Sequence, residues 1–319
     1  MNATETVGKL RLLGSFTENR ENAYTTAFSA DGKKFAAAGG LRAVFIYDTA
    51  EQKPVGGLVD HKQSIYSIKF SKNGKWLFST GRDGKVMVYD AEKFDKIAEL
   101  LPEFDLEKAH PQSIPNFALA VHPDQTRLFV GGSGGFLRIY STADWSRQQV
   151  LPLHQGNIRS IACSPDGQMI ATGSSDKMVK LIDAKTYDVL HDIEGHGDTV
   201  FSVRFSPDGS HFVTGGKDAR LRVWTVDGNR IKPKVKILAH AFTIKSMEFI
   251  SGGKELVTVS QDKTIKIWDL EKMLTLEVID RNQGGHLFTI NSVSVSPDET
   301  RMVTGSDDKT VKLWEIRPE

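Results

Sequence analysis

One pattern recurs seven times along this chain, and it restricts the fold more than any other feature. Its clearest copy runs from Gly285 to Glu315. Gly285-His286 is followed by the apolar positions Ile290, Val293 and Val295, then by Ser296-Pro297-Asp298. A second run passes through Met302 to Gly305, and Val311-Lys312-Leu313-Trp314-Glu315 closes the stretch. Aligned on the last residue of the third run, the copies close at Tyr47, Tyr89, Tyr140, Ile182, Trp224, Trp268 and Trp314, spaced by 42, 51, 42, 42, 44 and 46 residues. An acid follows at Asp48, Asp90, Asp183, Asp269 and Glu315, but not at Ser141 or Thr225. Alternating runs rich in β-branched and aromatic residues read as strands. Asp31-Gly32, Asn73-Gly74, Asp166-Gly167 and Asp208-Gly209 supply residues that tolerate the positive φ of tight hairpins.

A small sheet of this kind cannot bury both faces alone, so neighbours must stack, and a closed array removes the exposed edges. The last repeat stops at Trp314-Glu315 with no strand after it, while Leu10–Leu13 precedes the first repeat as a spare strand. Laying Leu10–Leu13 beside Val311–Trp314 shuts the ring. The expectation is one all-β domain over residues 1–319, without linkers. Glu103–Ala109, in the long third spacer, could form one helical turn.

Composition bounds the function. With 39% apolar and 25% charged residues and a net charge of +1, the chain has the balance of a soluble globular protein with no bulk pull toward nucleic acid or membrane. The one cysteine, Cys163, reads as core filler and suits a reducing, cytoplasmic setting. No stretch is long and apolar enough to span a bilayer, and residues 1–8 lack the apolar centre of a signal peptide.

With a loop histidine in front and an aromatic-acid pair behind, spaced by about 40–45 residues, the chain resembles the WD40-repeat family from about Lys9 to Ile316. The resemblance implies a seven-bladed β-propeller of four-stranded sheets, with the N-terminal strand completing the last blade. It also implies a hydrogen-bonded set inside each blade: a loop His, a Ser or Thr of the second strand, an Asp of the next turn and the closing Trp. The fifth repeat has all four as His196, Thr214, Asp218 and Trp224. The sixth has His240, Thr258, Asp262 and Trp268, and the seventh His286, Thr304, Asp308 and Trp314. The second (His61, Ser79, Asp83) and fourth (His154, Thr172, Asp176) carry Tyr89 and Ile182 in place of Trp. The first and third depart, with Ala37 and Leu41, then Val130 and Gly134, at the hydroxyl and Asp places; the third keeps His110.

Six of nine histidines thereby fall into structural places, which leaves no catalytic residues, metal ligands or cofactor site to assign. Gly131–Gly135 is not followed by a helix, so it is not a phosphate loop. Attention passes to the surface. In a WD40-like propeller the side chain five residues after each loop His points to the top face near the central opening. That column reads Tyr24, Tyr66, Phe117, Arg159, Phe201, Lys245 and Asn291, and Arg82 and Lys217 precede turn aspartates on the same face. Aromatics and Arg dominate binding energy at interfaces. We place binding ahead of the competing reading, in which these rings pack across the channel. The expected function is a non-catalytic scaffold, a monomeric propeller within a larger assembly, binding a protein or short peptide with acidic residues and an apolar anchor. A second reading makes the run 220–236, with Arg220, Arg222, Arg230, Lys232, Lys234 and Lys236, a contact for RNA. A third makes the central channel an enzyme site.

Overall fold

The computed structural model of the protein describes residues 8–101, 114–194 and 196–317. Within them lie seven four-stranded antiparallel sheets. Their innermost strands are Ala23–Phe28, Ile65–Phe70, Asn116–Val121, Ile158–Cys163, Val200–Phe205, Ile244–Ile250 and Ile290–Val295. Each innermost strand touches the next, and the last touches the first, so the sheets form a closed ring around a channel. Each blade is built from the channel outward in chain order; in blade one Ala23–Phe28 is followed by Lys34–Gly39, Val44–Asp48 and Lys53–Leu58. The third-spacer residues Glu103–Ala109 and His110 lie outside the described residues.

Blade seven is the exception. Ile290–Val295, Arg301–Ser306 and Val311–Ile316 supply three strands, and the outer one is Leu10–Phe16 from the other end of the chain. Leu10 lies opposite Ile316, Leu12 opposite Trp314 and Phe16 opposite Val311, with a bulge between Leu12 and Gly14. The seven-bladed propeller closed by its N-terminal strand is thus what the chain forms, with a closing strand three residues longer than the Leu10–Leu13 expected. The closing strand also reaches sideways to blade six. Lys9 forms an ion pair with Glu255, and the Leu10 N–H donates to Glu277 Oε2 at 3.1 Å.

Apolar residues gather where neighbouring sheets face each other. Val257, Ile265 and Ile267 of blade six meet Ile290, Val293 and Trp314 of blade seven, while Val303 and Leu313 of blade seven meet Phe35 and Tyr47 of blade one. Burying one such side chain contributes about 1.5–3 kcal/mol, and none of this burial exists for a sheet standing alone. The blades also approach too closely for a side chain at Gly131, where a Cβ would fall 2.5 Å from Ile158 Cγ2 of the next blade.

The turns repeat with the blades, whatever residue occupies them. On the face we call the top, the residue two places after the second strand's partner turn begins adopts a left-handed conformation in every blade: Arg42, Gly84, Gly135, Lys177, Ala219, Lys263 and Lys309, with φ between 58° and 77°. Only two of the seven are glycine, although this region is uncommon for other residues. On the bottom face Gln52, Phe94, Trp145, Tyr187, Gly228 and Met273 do the same before the fourth strand. Removing residues 1–16 would uncover the edge of Val311–Ile316 and one side of the cluster around Trp314. The shortened chain is expected to self-associate or lose its cooperative melt in size-exclusion chromatography and thermal unfolding; an unchanged monomeric transition would overturn this account of closure.

Candidate functional site

Each loop histidine among the described residues is held between two loops and a strand. In blade six His240 Nδ1 lies 2.9 Å from Asp262 Oδ2, and Nε2 lies 2.7 Å from Thr258 Oγ1. Because a carboxylate only accepts, Nδ1–H donates to Asp262 and Nε2 accepts the threonine proton. The Trp268 indole then donates to the same threonine oxygen at 2.9 Å. Asp262 also accepts from the Ala241 and Thr264 N–H groups, tying the loop after the histidine to the top turn. Blade seven repeats the arrangement, with His286 at 2.9 Å from Asp308 and 2.8 Å from Thr304, and the Trp314 indole 2.9 Å from Thr304. In blades two and four, His61 bridges Asp83 and Ser79, and His154 bridges Asp176 and Thr172.

Blade five departs from expectation. His196 lies 3.2 Å from Asp218 and 2.8 Å from Thr214, but the Trp224 indole N–H is buried without a hydrogen-bond partner. Its last two strands, Arg220–Asp227 and Arg230–Leu238, are longer than those elsewhere. Trp224 is half-buried against an apolar cluster that also gathers Val226 and Ile231 of this long ribbon.

Burial holds His154, His196, His240 and His286 below the ordinary imidazole range, despite the opposing pull of their aspartates. They are neutral brackets, not acid-base groups poised near neutrality. Burial also pushes the Cys163 thiol up to about 12, far from a reactive thiolate.

The seven column residues all line the mouth of the central channel, a cavity of about 430 Å³. They make a nearly continuous chain of contacts around it. Tyr24 and Tyr66 are 5.9 Å apart between ring centroids, and Tyr66 and Phe117 stack at 5.4 Å. The Arg159 guanidinium sits 3.9 Å from the Phe117 centroid, and Lys245 Nζ sits 4.7 Å from that of Phe201. Asn291 donates to the Ala23 carbonyl and to Asp307. The rings are half-buried and have partners within the chain, so much of their surface is already covered. Of the cations assigned to the face, Lys217 forms an exposed ion pair with Asp198 at 3.0 Å. Arg82 is exposed and has no ion pair among the described residues.

Spacing alone did not single out the exposed apolar groups on the loops that follow two of the histidines. Phe242, Leu287 and Phe288 are 61%, 60% and 56% exposed on the loops after His240 and His286. The available signal is their position one or two residues after the loop histidine, where blades two, four and five carry Lys62-Gln63, Gln155-Gly156 and Gly197-Asp198. The basic run of blade five does not form one stripe. Arg222 is buried and lies 3.6 Å from Asp218, and Lys234 donates to the Leu270 carbonyl of blade six.

Two outcomes follow. Trp314→Phe is expected to lose about 1 kcal/mol for the missing bond to Thr304, in addition to a cavity cost, whereas Trp224→Phe removes no bond; equal losses in urea titrations would reject the distinction. Acid should destabilise the fold. The unfolded histidines take up protons below about pH 6.5, where the buried neutral ones do not, and the bracket aspartates, also held low, add to the loss at lower pH. The urea midpoint should therefore fall between about pH 7.5 and about pH 5.5; a flat midpoint would show that the imidazoles are not buried neutral.

The family model for the WD domain, G-beta repeat, matches residues 52–90, 145–183, 187–225, 232–269 and 279–315, together more than half of the chain. Each match starts at an outer strand and ends with the third strand of the following blade, so the sequence repeat straddles two sheets. The unmatched blades, one and three, are those whose hydroxyl and Asp places are filled by Ala37, Leu41, Val130 and Gly134. No curated protein matches the chain. The repeats, their hydrogen-bonded brackets and the closed ring of seven sheets together place this chain in the WD40-repeat family.

Proposed function

We propose that this propeller is a non-catalytic scaffold that binds a protein or peptide through its top face. WD40 propellers commonly serve as interaction scaffolds. The observation that carries the reading is the exposure of Phe242, Leu287 and Phe288 on adjoining loops of that face. Large apolar groups rimmed by polar ones mark interaction surfaces more often than they occur by chance. Lys263 Nζ lies 5.7 Å from the Phe288 ring, and Gln261 and Asp307 occupy the neighbouring turns, so charged and polar groups stand beside the exposed apolar side chains. The stacked residues around the channel mouth give the face a stiff centre, which lowers the ordering cost of binding.

The non-catalytic part of the reading rests on chemistry already described. The bracket histidines are shared between an aspartate and a hydroxyl, the Cys163 thiol is held protonated, and among the described residues no group of three or more His, Cys, Asp or Glu is placed to hold a metal ion.

Phe242→Ser combined with Phe288→Ser should leave the melting temperature nearly unchanged and abolish capture of the partner in affinity purification read by mass spectrometry. Leu274→Ser with Leu276→Ser, on the exposed outer strand of blade six, serves as the comparison. Equal loss of the same proteins from both variants would reject the top face as the binding surface.

A further inference from the structure

On the top face, the turns of adjacent blades and the loop that joins them place equivalent side chains side by side among the described residues. Because the turn residue is left-handed in every blade, equivalent side chains can be compared from cleft to cleft. Between blades four and five the set is Lys177, Gly197, Asp198 and Lys217, and two of these form an ion pair. Between blades six and seven it is Lys263, Leu287, Phe288 and Asp307; between five and six, Ala219, Ala241, Phe242 and Gln261. Between blades seven and one it is Lys309, Arg20, Glu21 and Gly40, and among the described residues the cleft between blades one and two differs from these. Its set is Arg42, Lys62, Gln63 and Arg82, three cations and no acid.

The cleft has a volume of about 240 Å³, with Ser64 and Gly40 completing its lining. Arg42, Lys62 and Arg82 are exposed, and among the described residues none has an ion pair. Elsewhere Lys85, Lys96, Lys180 and Lys217 each have an acid beside them. Asp83 faces inward to His61 and the Lys62 N–H, and Glu21 packs against the outer side of the cleft wall at Gly40, paired with none of the three cations. The backbone of the cleft is held in place before any ligand arrives. Arg42 Nη1 donates to the Lys62 carbonyl at 3.3 Å, and the Arg82 N–H donates to the Ser64 carbonyl at 2.8 Å. Three like charges converging on one cleft repel each other, and an anion between them relieves that repulsion. Guanidinium groups also present paired N–H donors that match the oxygens of a phosphate or carboxylate.

We infer that the cleft between blades one and two binds an oxyanion, a phosphomonoester or a carboxylate, carried on the side chain of a peptide partner. The inference deepens the top-face reading and rests on it for the peptide. It favours a peptide over nucleic acid because the cations do not run on without interruption: the equivalent set between blades seven and one is Lys309, Arg20, Glu21 and Gly40, where an acid stands among the cations, and Gly84 and Ser133 on the other side are uncharged.

The test is calorimetric titration of the full chain at low salt with O-phospho-L-serine, inorganic phosphate and acetate, then with short peptides bearing phosphoserine, glutamate or serine at one position. Wild type, Arg42→Gln with Arg82→Gln, and Lys217→Gln are compared, with thermal melts to check folding. Phosphoserine should bind saturably, the Arg42/Arg82 variant should weaken it about tenfold or more, and Lys217→Gln should leave it unchanged. Preference among the peptides separates a phosphoester from a carboxylate source. Equal affinity in wild type and the double variant, or no saturable binding of any oxyanion, would overturn the inference. So would a uridine 12-mer that binds through the same arginines more tightly than every peptide. These outcomes do not depend on partner capture through Phe242 and Phe288, so failure of one reading leaves the other distinguishable.

Discussion

Everything in this propeller depends on apolar burial between sheets that have no core of their own. A four-stranded blade has two faces, and each needs a neighbour. Phe35 and Tyr47 of blade one are fully buried only because Val303 and Leu313 of blade seven lie against them. Stacking therefore continues until the last sheet meets the first. That junction is where the chain would otherwise leave an edge with unpaired backbone groups. The strand Leu10–Phe16 supplies the missing pairing, and Lys9 and Glu277 fasten it to blade six as well.

The polar interior follows from the same stacking. Once the loops are packed against the blades, a histidine there is buried, and a buried polar group is costly unless its bonds are made. Asp262 and Asp308 meet that requirement with several acceptor contacts each, reaching both the loop and the turn. Blades one and three meet it differently, mainly by removing the polar groups. Ala37 and Val130 take the hydroxyl places, and both are fully buried. Blade one does keep Asn19 where a loop histidine would stand, with neither side-chain polar atom partnered. Family-level matching thus follows the bracket, while the fold follows the burial, and the two unmatched blades are still complete sheets.

The surface shows how a column of residues differs from a site. Spacing places Tyr24, Tyr66, Phe117, Arg159, Phe201, Lys245 and Asn291 at one rim, and there they stand. Spacing says nothing about whether neighbours in the column touch. In three dimensions Tyr66 stacks on Phe117, and Arg159 covers Phe117, so the rim is largely self-satisfied. The exposed chemistry moves outward to Phe242, Leu287 and Phe288 on one side and to Arg42, Lys62 and Arg82 on the other.

Blade number, strand order, ring closure and the histidine brackets were legible in the amino-acid sequence, because each is a local pattern repeated at a near-constant interval. Alternation specifies strands, Asp-Gly pairs specify turns, and a His and an Asp 22 residues apart mark a bracket without reference to other blades. What tertiary structure alone decided concerns contacts between repeats. The Trp224 indole has no partner in its bracket, and Lys217 meets Asp198 of the adjoining loop. Arg42, Lys62 and Arg82 come from two turns and the loop between them, and they share a cleft only because adjacent blades meet there. Local periodicity encodes what each repeat becomes; which charges are paired and which remain free depends on distances across blades, and those exist only after the ring has closed.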